Sequence, residues 1–127
     1  SSVMGLVSTA WRGAYAASKY ALEAWSDALR MELQSSGIHV SLIEPGPIST
    51  HFTQNVNQAE ADKPVNNPGI AKRFTLPPEA ILPKLRHALE SPRPQLRYPV
   101  TMVAHALTLL RRLLPGRMLD RVLRGNS

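Results

Sequence analysis

The chain has 127 residues, of which 43% are hydrophobic and 19% charged, and its formal net charge is +6. This length and composition fit one folded domain or part of one, and they argue against a disordered chain. Cysteine is absent, which excludes disulfide bonds and thiolate metal sites and leads us to expect a reducing, cytoplasmic compartment. Neither a membrane span nor a signal peptide is expected, because apolar runs are short and the chain opens on small residues without a basic segment.

The charge is divided unevenly along the chain. Residues 1–71 carry four Lys or Arg against six Asp or Glu, whereas residues 72–127 carry eleven against three. The basic second half is open to two interpretations, a solvated surface or a face for an anionic partner. No nucleic acid partner is expected, because aromatic residues do not interleave with the basic ones.

The first half of the chain predicts a helix followed by a strand. Residues 1–10 indicate a strand end and a loop, and residues 13–35 predict a helix that stops before Gly37. The apolar face predicted for this helix consists of Leu22, Trp25, Leu29 and Leu33. Residues 38–43 predict an apolar, β-branched strand. A helix-to-strand step of this kind is typical of an α/β fold with parallel strands.

The second half predicts a long loop and then helices. Residues 46–76 carry Pro, Asn, Gln and Gly without apolar periodicity, and loops of this length are usually lids or binding loops. A helix is predicted at 78–90, which Pro83 is expected to kink or shorten. A short strand in "QLRYPVT" and an apolar helix at 102–113 come next, followed by the basic amphipathic tail "GRMLDRVLRG".

Tyr15 and Lys19 stand four residues apart in the predicted helix, so their side chains share one helical face. A phenol ionises near pH 10 in water, and an adjacent cation favours the phenolate. Lys19 is therefore placed to stabilise a Tyr15 phenolate, and small neighbours leave room for a planar ligand. On spacing alone, an exposed helix face without chemistry is the alternative.

Two further segments favour the functional interpretation. Ser2 lies 13 residues before Tyr15 at the predicted strand end, where a hydroxyl can project into a cleft. The segment "PGPIST" follows the next strand, and ligands of open α/β sheets bind beyond the carboxyl ends of strands. Within this segment, Gly46 permits close backbone approach and Thr50 offers a hydroxyl.

Taken together, "SSVMGLVS", "GAYAASKYALEAWSDALRMEL" and "IHVSLIEPGPIST" resemble the C-terminal half of the short-chain dehydrogenase/reductase family. That family has a serine, then Tyr-x-x-x-Lys, then a Pro-Gly-x-x-x-Thr turn, in this order. The resemblance is tight over residues 1–50 and looser through "RYPV" to the end. It implies the C-terminal part of a Rossmann-like, doubly wound parallel sheet with flanking helices. Residues 1–50 would hold the catalytic part, 51–76 the substrate loop, and 77–127 the last strand, the C-terminal helices and the basic tail.

The resemblance also implies a role for each matching residue. Ser2 would polarise the substrate carbonyl, with Ser1 as the competitor for this role, and Tyr15 would transfer the proton as a general acid or base. Lys19 would favour the phenolate and bind the nicotinamide ribose. The nicotinamide side of the cofactor would be held by Pro45, Gly46, Ile48 and Thr50.

The implied function is an NAD(P)(H)-dependent oxidoreductase that interconverts a carbonyl and an alcohol of a small-molecule substrate. NADP(H) is favoured and NAD(H) stays open, since family members carry the glycine-rich phosphate loop and the selector residue upstream of the position of Ser1. We therefore expect the 127 residues alone to be inactive, and a full-length protein to be a homo-oligomer. No metal site is expected, because the four histidines lack the spacing of metal ligands.

A non-catalytic binding module is the alternative function. Residues 111–124 set arginines against apolar residues, a pattern that suits contact with an anionic membrane surface. The same pattern suits an apolar cap over a substrate pocket, which is the interpretation we favour.

Overall fold

The computed structural model describes residues 1–49 and 74–124. These residues form two strands and four α-helices, which confirms the predicted α/β class. In chain order the elements are α1 (Gly13–Glu32), β1 (Leu42–Glu44), α2 (Leu82–Glu90), β2 (Arg97–Pro99), α3 (Met102–Leu113) and α4 (Gly116–Arg124), with short 3₁₀ helices at Val3–Gly5 and Pro78–Ile81.

The two strands pair in parallel, as the helix-to-strand order predicted. Leu42 lies opposite Arg97 and Glu44 opposite Pro99, and the Val100 amide extends the ladder by donating to the Glu44 carbonyl at 3.2 Å. The strand predicted at 38–43 is displaced: β1 begins only at Leu42, and Ile38 is exposed. The β-branched residues at the start of the predicted strand therefore lie outside the ladder.

The opening segment turns into a 3₁₀ helix rather than a loop. Ser2 is extended, with φ −160° and ψ 158°, as expected at a strand end, and its Oγ accepts a hydrogen bond from the Met4 amide at 3.2 Å. The Leu6 amide donates to the Val3 carbonyl at 3.0 Å. These local bonds satisfy the backbone without a ladder, which is how a serine cap competes with extended structure.

Helix α1 begins at the predicted residue and ends three residues early, since residues 33–36 close into tight turns. Its buried positions are Ala16, Glu23 and Ser26. Trp25, which belongs to the predicted apolar face, is 64% exposed. Within the described residues α1 thus buries small and polar side chains, and a place for Trp25 at a subunit interface, the alternative to the core, stays a prediction.

The C-terminal helices largely match their predictions. Pro83 occupies the first turn of α2 and so begins that helix instead of kinking it, while the preceding residues form the 3₁₀ helix. Helix α3 has the predicted bounds, and Thr101 Oγ1 caps it by accepting from the Ala104 amide at 3.1 Å. Among residues 1–49 and 74–124, the helices all fall short of the length and apolarity that crossing a membrane requires.

The small apolar core joins the two ends of the chain. Val3, Val7 and Ala104 are buried together, and Leu107 and Leu123 pack against them. The turn after β1 is tied to the same region, because the Val3 amide donates to the Pro45 carbonyl at 3.1 Å. Helices α3 and α4 therefore support the opening segment, which in turn contacts the turn after β1.

Gly46→Ala is expected to destabilise the protein. A Cβ at Gly46 would collide with the hydroxyl of Thr101, which is fully buried and caps α3. Overpacking of this kind typically costs about 1–3 kcal/mol, which urea unfolding of the purified protein measures. Gly13→Ala is the matched control, because nothing lies within 4 Å of its added methyl. Equal stability of the two variants would show that Thr101 moves aside without cost.

Candidate active site

Tyr15 and Lys19 meet on one face of α1, as their spacing predicted. The Lys19 Nζ lies over the Tyr15 ring, 5.3 Å from its centroid. Both side chains are partly buried. A cation held over an aromatic ring is attracted to its negative face, so this pair keeps a fixed ammonium beside the phenol.

The two serines make different contacts. The Ser2 side chain is buried and its Oγ accepts from the Met4 amide. The Ser1 hydroxyl donates to Glu23 Oε1 at 2.5 Å, on α1. Because the Ser1 proton is engaged by a carboxylate, the two candidates for the serine role are chemically distinct.

The opening segment packs closely against α1 next to this pair. A Cβ added to Gly5 would lie 3.1 Å from the Lys19 carbonyl oxygen and 2.8 Å from Glu23 Cγ. In the same segment, the Val3 amide donates a hydrogen bond to the Pro45 carbonyl. Residues 1–5 therefore touch both α1 and the turn after β1, and they bring the three predicted parts of the site into one region.

Part of the predicted cofactor turn is described. Ile48 forms an isolated parallel bridge with Leu76, in which the Ser49 amide donates to Leu76 at 2.9 Å and the Leu76 amide donates to Pro47 at 3.1 Å. Since backbone groups alternate in direction along an extended chain, the Ile48 amide points away from Leu76. Thr50 and most of the predicted substrate loop at 51–76 lie outside the described residues.

A cluster of four charged residues, two of them buried, lies beside the site, and no sequence pattern predicted it. Arg97 on β2 donates from Nε to Glu23 Oε2 at 3.0 Å and from Nη2 to Asp27 Oδ2 at 2.7 Å. Its Nε also lies 3.2 Å from Glu44 Oε1. We call these four residues, Glu23, Asp27, Glu44 and Arg97, the arginine cluster. A single acid in the apolar strand sequence around Leu42 and Ile43 was the signal that could have revealed it.

Burial dominates the electrostatics of Glu44. Its side chain is fully buried, and within the described part of the chain neither carboxylate oxygen has a hydrogen bond, although Arg97 is close enough for an ion pair. Burial raises the pKa of Glu44 to about 7, Glu23 adds to this effect, and Arg97 opposes it. By contrast, the hydrogen bond from Arg97 holds the pKa of Asp27 below its usual value.

Comparison with known proteins identifies the class to which this fold belongs. The family described as short chain dehydrogenase matches residues 1–61. Similarity to a known protein extends beyond this range, since an oxidoreductase aligns with 98% of the chain at 70% identity. The chain belongs to the short-chain dehydrogenase family.

The relatives include bacterial and animal proteins. The uncharacterized oxidoreductase YbbO of Escherichia coli K12 is 70% identical over 125 residues, and the chain spans 46% of its length. The NADPH-dependent 3-dehydrocapnine reductase of Ornithobacterium rhinotracheale is 34% identical over 96% of this chain and 47% of its own. The dehydrogenase/reductase SDR family member 7B of Danio rerio is 44% identical over 50% of this chain and 20% of its own. The chain thus spans about half the length of the first two relatives.

Glu44→Gln is expected to flatten the dependence of stability on pH. The pKa of Glu44 is about 7 in the folded chain against an ordinary value of 4.5. Its contribution to stability is fully present below pH 4.5 and is lost as pH rises to about 7, because the unfolded chain ionises this carboxyl first. The difference corresponds to on the order of 3 kcal/mol.

Glutamine cannot ionise, so the variant should be the more stable protein at pH 8, and its advantage should shrink as the pH falls towards 4.5. Urea unfolding at four pH values measures this in a full-length chimera, in which the chain replaces the matching C-terminal 46% of the E. coli relative. Glu79→Gln, at an exposed position, is the control. If both variants follow the wild-type pH dependence, Glu44 does not titrate near neutral pH.

Proposed function

We propose that the chain is the catalytic C-terminal part of an NAD(P)(H)-dependent oxidoreductase that interconverts a carbonyl and an alcohol. The observation that carries this proposal is the Lys19 ammonium over the Tyr15 ring, beside a segment that contacts both α1 and the turn after β1. Membership of the short-chain dehydrogenase family supports the reaction class. The 127 residues alone would be inactive, because their sequence contains no glycine-rich phosphate loop.

In this proposal Tyr15 handles the proton. Its hydroxyl would donate to the carbonyl oxygen during reduction and accept the proton of the alcohol during oxidation. Lys19 holds a positive charge over the Tyr15 ring, where it would stabilise the negative charge that develops on the phenol oxygen during proton transfer. Ser2 would orient the carbonyl, and we prefer it to Ser1 because the Ser1 hydroxyl already donates to Glu23.

The residues present suit the nicotinamide end of a dinucleotide. Lys19 offers ammonium hydrogens, and the Ile48 backbone would face the nicotinamide carboxamide, as the family resemblance implies. Pro45, Gly46 and Thr50 would complete that side. A bound nicotinamide supplies the hydride of the reaction, while this chain would supply orientation and the proton.

NADP(H) is the cofactor we favour over NAD(H). The family binds either dinucleotide, and the relative from Ornithobacterium is described as NADPH-dependent. The substrate would be a small molecule in a cytoplasmic enzyme. We expect a homo-oligomer in the full-length protein.

The alternative of a binding module gains little support. Leu123 of α4 packs against the core formed by Val3, Val7 and Ala104, so part of the apolar side of the tail serves the fold. The arginines of α4 are exposed, which is the ordinary state of a solvated basic surface. We therefore propose no function in membrane contact.

Tyr15→Phe is expected to lower kcat of the full-length chimera by about 10²- to 10⁴-fold, because the ring is kept and the transferable proton is lost. Steady-state reduction of simple aldehydes with NADPH measures it. Tyr20→Phe on the same helix is the matched control. The Tyr20 hydroxyl donates to the Leu6 carbonyl and accepts from Arg111, each at 2.6 Å, so its loss should cost stability and leave kcat within a few-fold. Wild-type turnover in the Tyr15 variant would refute the proposed function.

A further inference from the structure

We propose that Arg97 is a positioning residue for Tyr15 and Lys19, fixing α1 against the turn that follows β1. This inference rests on the proposed function, because it assigns Arg97 a role in that same site. Arg97 lies on β2, and nothing in the Tyr-x-x-x-Lys pattern points to it.

The guanidinium of Arg97 holds α1 at two points. Its Nε reaches Glu23 and its Nη2 reaches Asp27, which are one helical turn apart. A planar, forked donor can satisfy both carboxylates at once, which a lysine ammonium does less well. Two contacts one turn apart resist both sliding and rotation of the helix.

The face of α1 that Arg97 holds is also the face that carries the site. Glu23 lies four residues after Lys19, which in turn lies four after Tyr15, so these side chains follow one side of the helix. Any rotation that separates Glu23 from Arg97 would also move the phenol and the ammonium. The arginine therefore fixes the direction in which Tyr15 points.

The arginine cluster also touches the other two parts of the site. Glu23 accepts from the Ser1 hydroxyl, next to Ser2. Glu44, which is 3.2 Å from Arg97, immediately precedes Pro45 and Gly46. One guanidinium thus connects the serine segment, the Tyr15 helix and the cofactor turn.

The energetics favour a role beyond stability. Two of the carboxylates, on Glu23 and Glu44, are buried, and the second has no hydrogen bond in the described part of the chain. Buried ion pairs are often no more stabilising than apolar side chains of similar size. A role that suits them better is to favour one arrangement of the packed helices and strands over the alternatives. The cluster is not arranged as a cation site, because no three ligand-type side chains among the described residues could hold a metal.

The test compares Arg97→Lys, Arg97→Met and the double variant Arg97→Met with Glu44→Gln in the full-length chimera. Arg86→Met is the matched control, because Arg86 pairs with Glu90 at 3.0 Å on the exposed side of α2. The readouts are kcat and KM per folded enzyme, thermal unfolding, and the ¹³C signal of the Tyr15 ring, assigned by its loss in Tyr15→Phe.

We expect Arg97→Lys and Arg97→Met to lower kcat on the order of tenfold to a hundredfold, since small misplacements of a reacting group have effects of this size. The Tyr15 signal should shift in Arg97→Lys and stay unchanged in Arg86→Met. The double variant removes the charge of Glu44, one of the two buried carboxylates that lose their arginine, so part of the lost thermal stability should return while kcat stays low.

Recovery of kcat together with stability in the double variant would overturn the proposal, because Arg97 would then only neutralise charge. Wild-type kcat and an unshifted Tyr15 signal in Arg97→Lys would overturn it as well, and this variant carries the test if Arg97→Met does not fold. Tyr15→Phe separates the two proposals: if it is inactive while the Arg97 variants keep wild-type kcat, only the positioning role fails.

Discussion

The contact between Arg97 and the carboxylates of α1 and β1 is the interaction on which the arrangement of this protein depends. The core of the described residues is small, with Val3, Val7 and Ala104 at its centre. So few apolar contacts leave the angle between α1 and the two-stranded sheet weakly determined, because apolar burial is not directional. Hydrogen bonds of 2.7 and 3.0 Å from one guanidinium do fix that angle. Orientation in this part of the molecule is therefore mainly electrostatic.

The pairing of Tyr15 with Lys19 is set by the local geometry of α1, whereas the charged residues around the pair are brought there by contacts between distant parts of the chain. Tyr15 and Lys19 meet because four residues make about one helical turn, so their pairing could be predicted from the sequence once the helix was recognised. Glu23 and Arg97 are 74 residues apart along the chain, and no periodicity connects them. Buried glutamates also run against the usual preferences of residues for the interior, so the sequence gives no reason to expect Glu23 and Glu44 in the core.

The apolar pattern of α1 does not reveal which of its residues the described chain buries. Hydrophobic periodicity shows that one face of a helix is apolar, and it does not show what that face packs against. Trp25 and Met31 are both more than 60% exposed, while the small residues Ala16 and Ser26 face the rest of the described chain. Small residues allow the opening segment to approach the helix closely, as the position of Gly5 against the Lys19 carbonyl shows. The parallel pairing and the bounds of α3 were predictable, since they depend on local order and on a threonine cap.

The glycine after β1 links the cofactor turn to the C-terminal helices. The sequence indicated that Gly46 leaves room for a ligand, yet the space beside its Cα is filled by the Thr101 hydroxyl. Thr101 is fully buried and caps α3, and Ala104 in the first turn of that helix lies in the core with Val3. Because Val3 also donates to Pro45, the turn is held from both sides by groups that belong to the fold. A displacement of α3 would therefore also move the turn after β1, which leads into Ile48. The C-terminal region is thus coupled to the proposed nicotinamide side, although it carries none of the family motif.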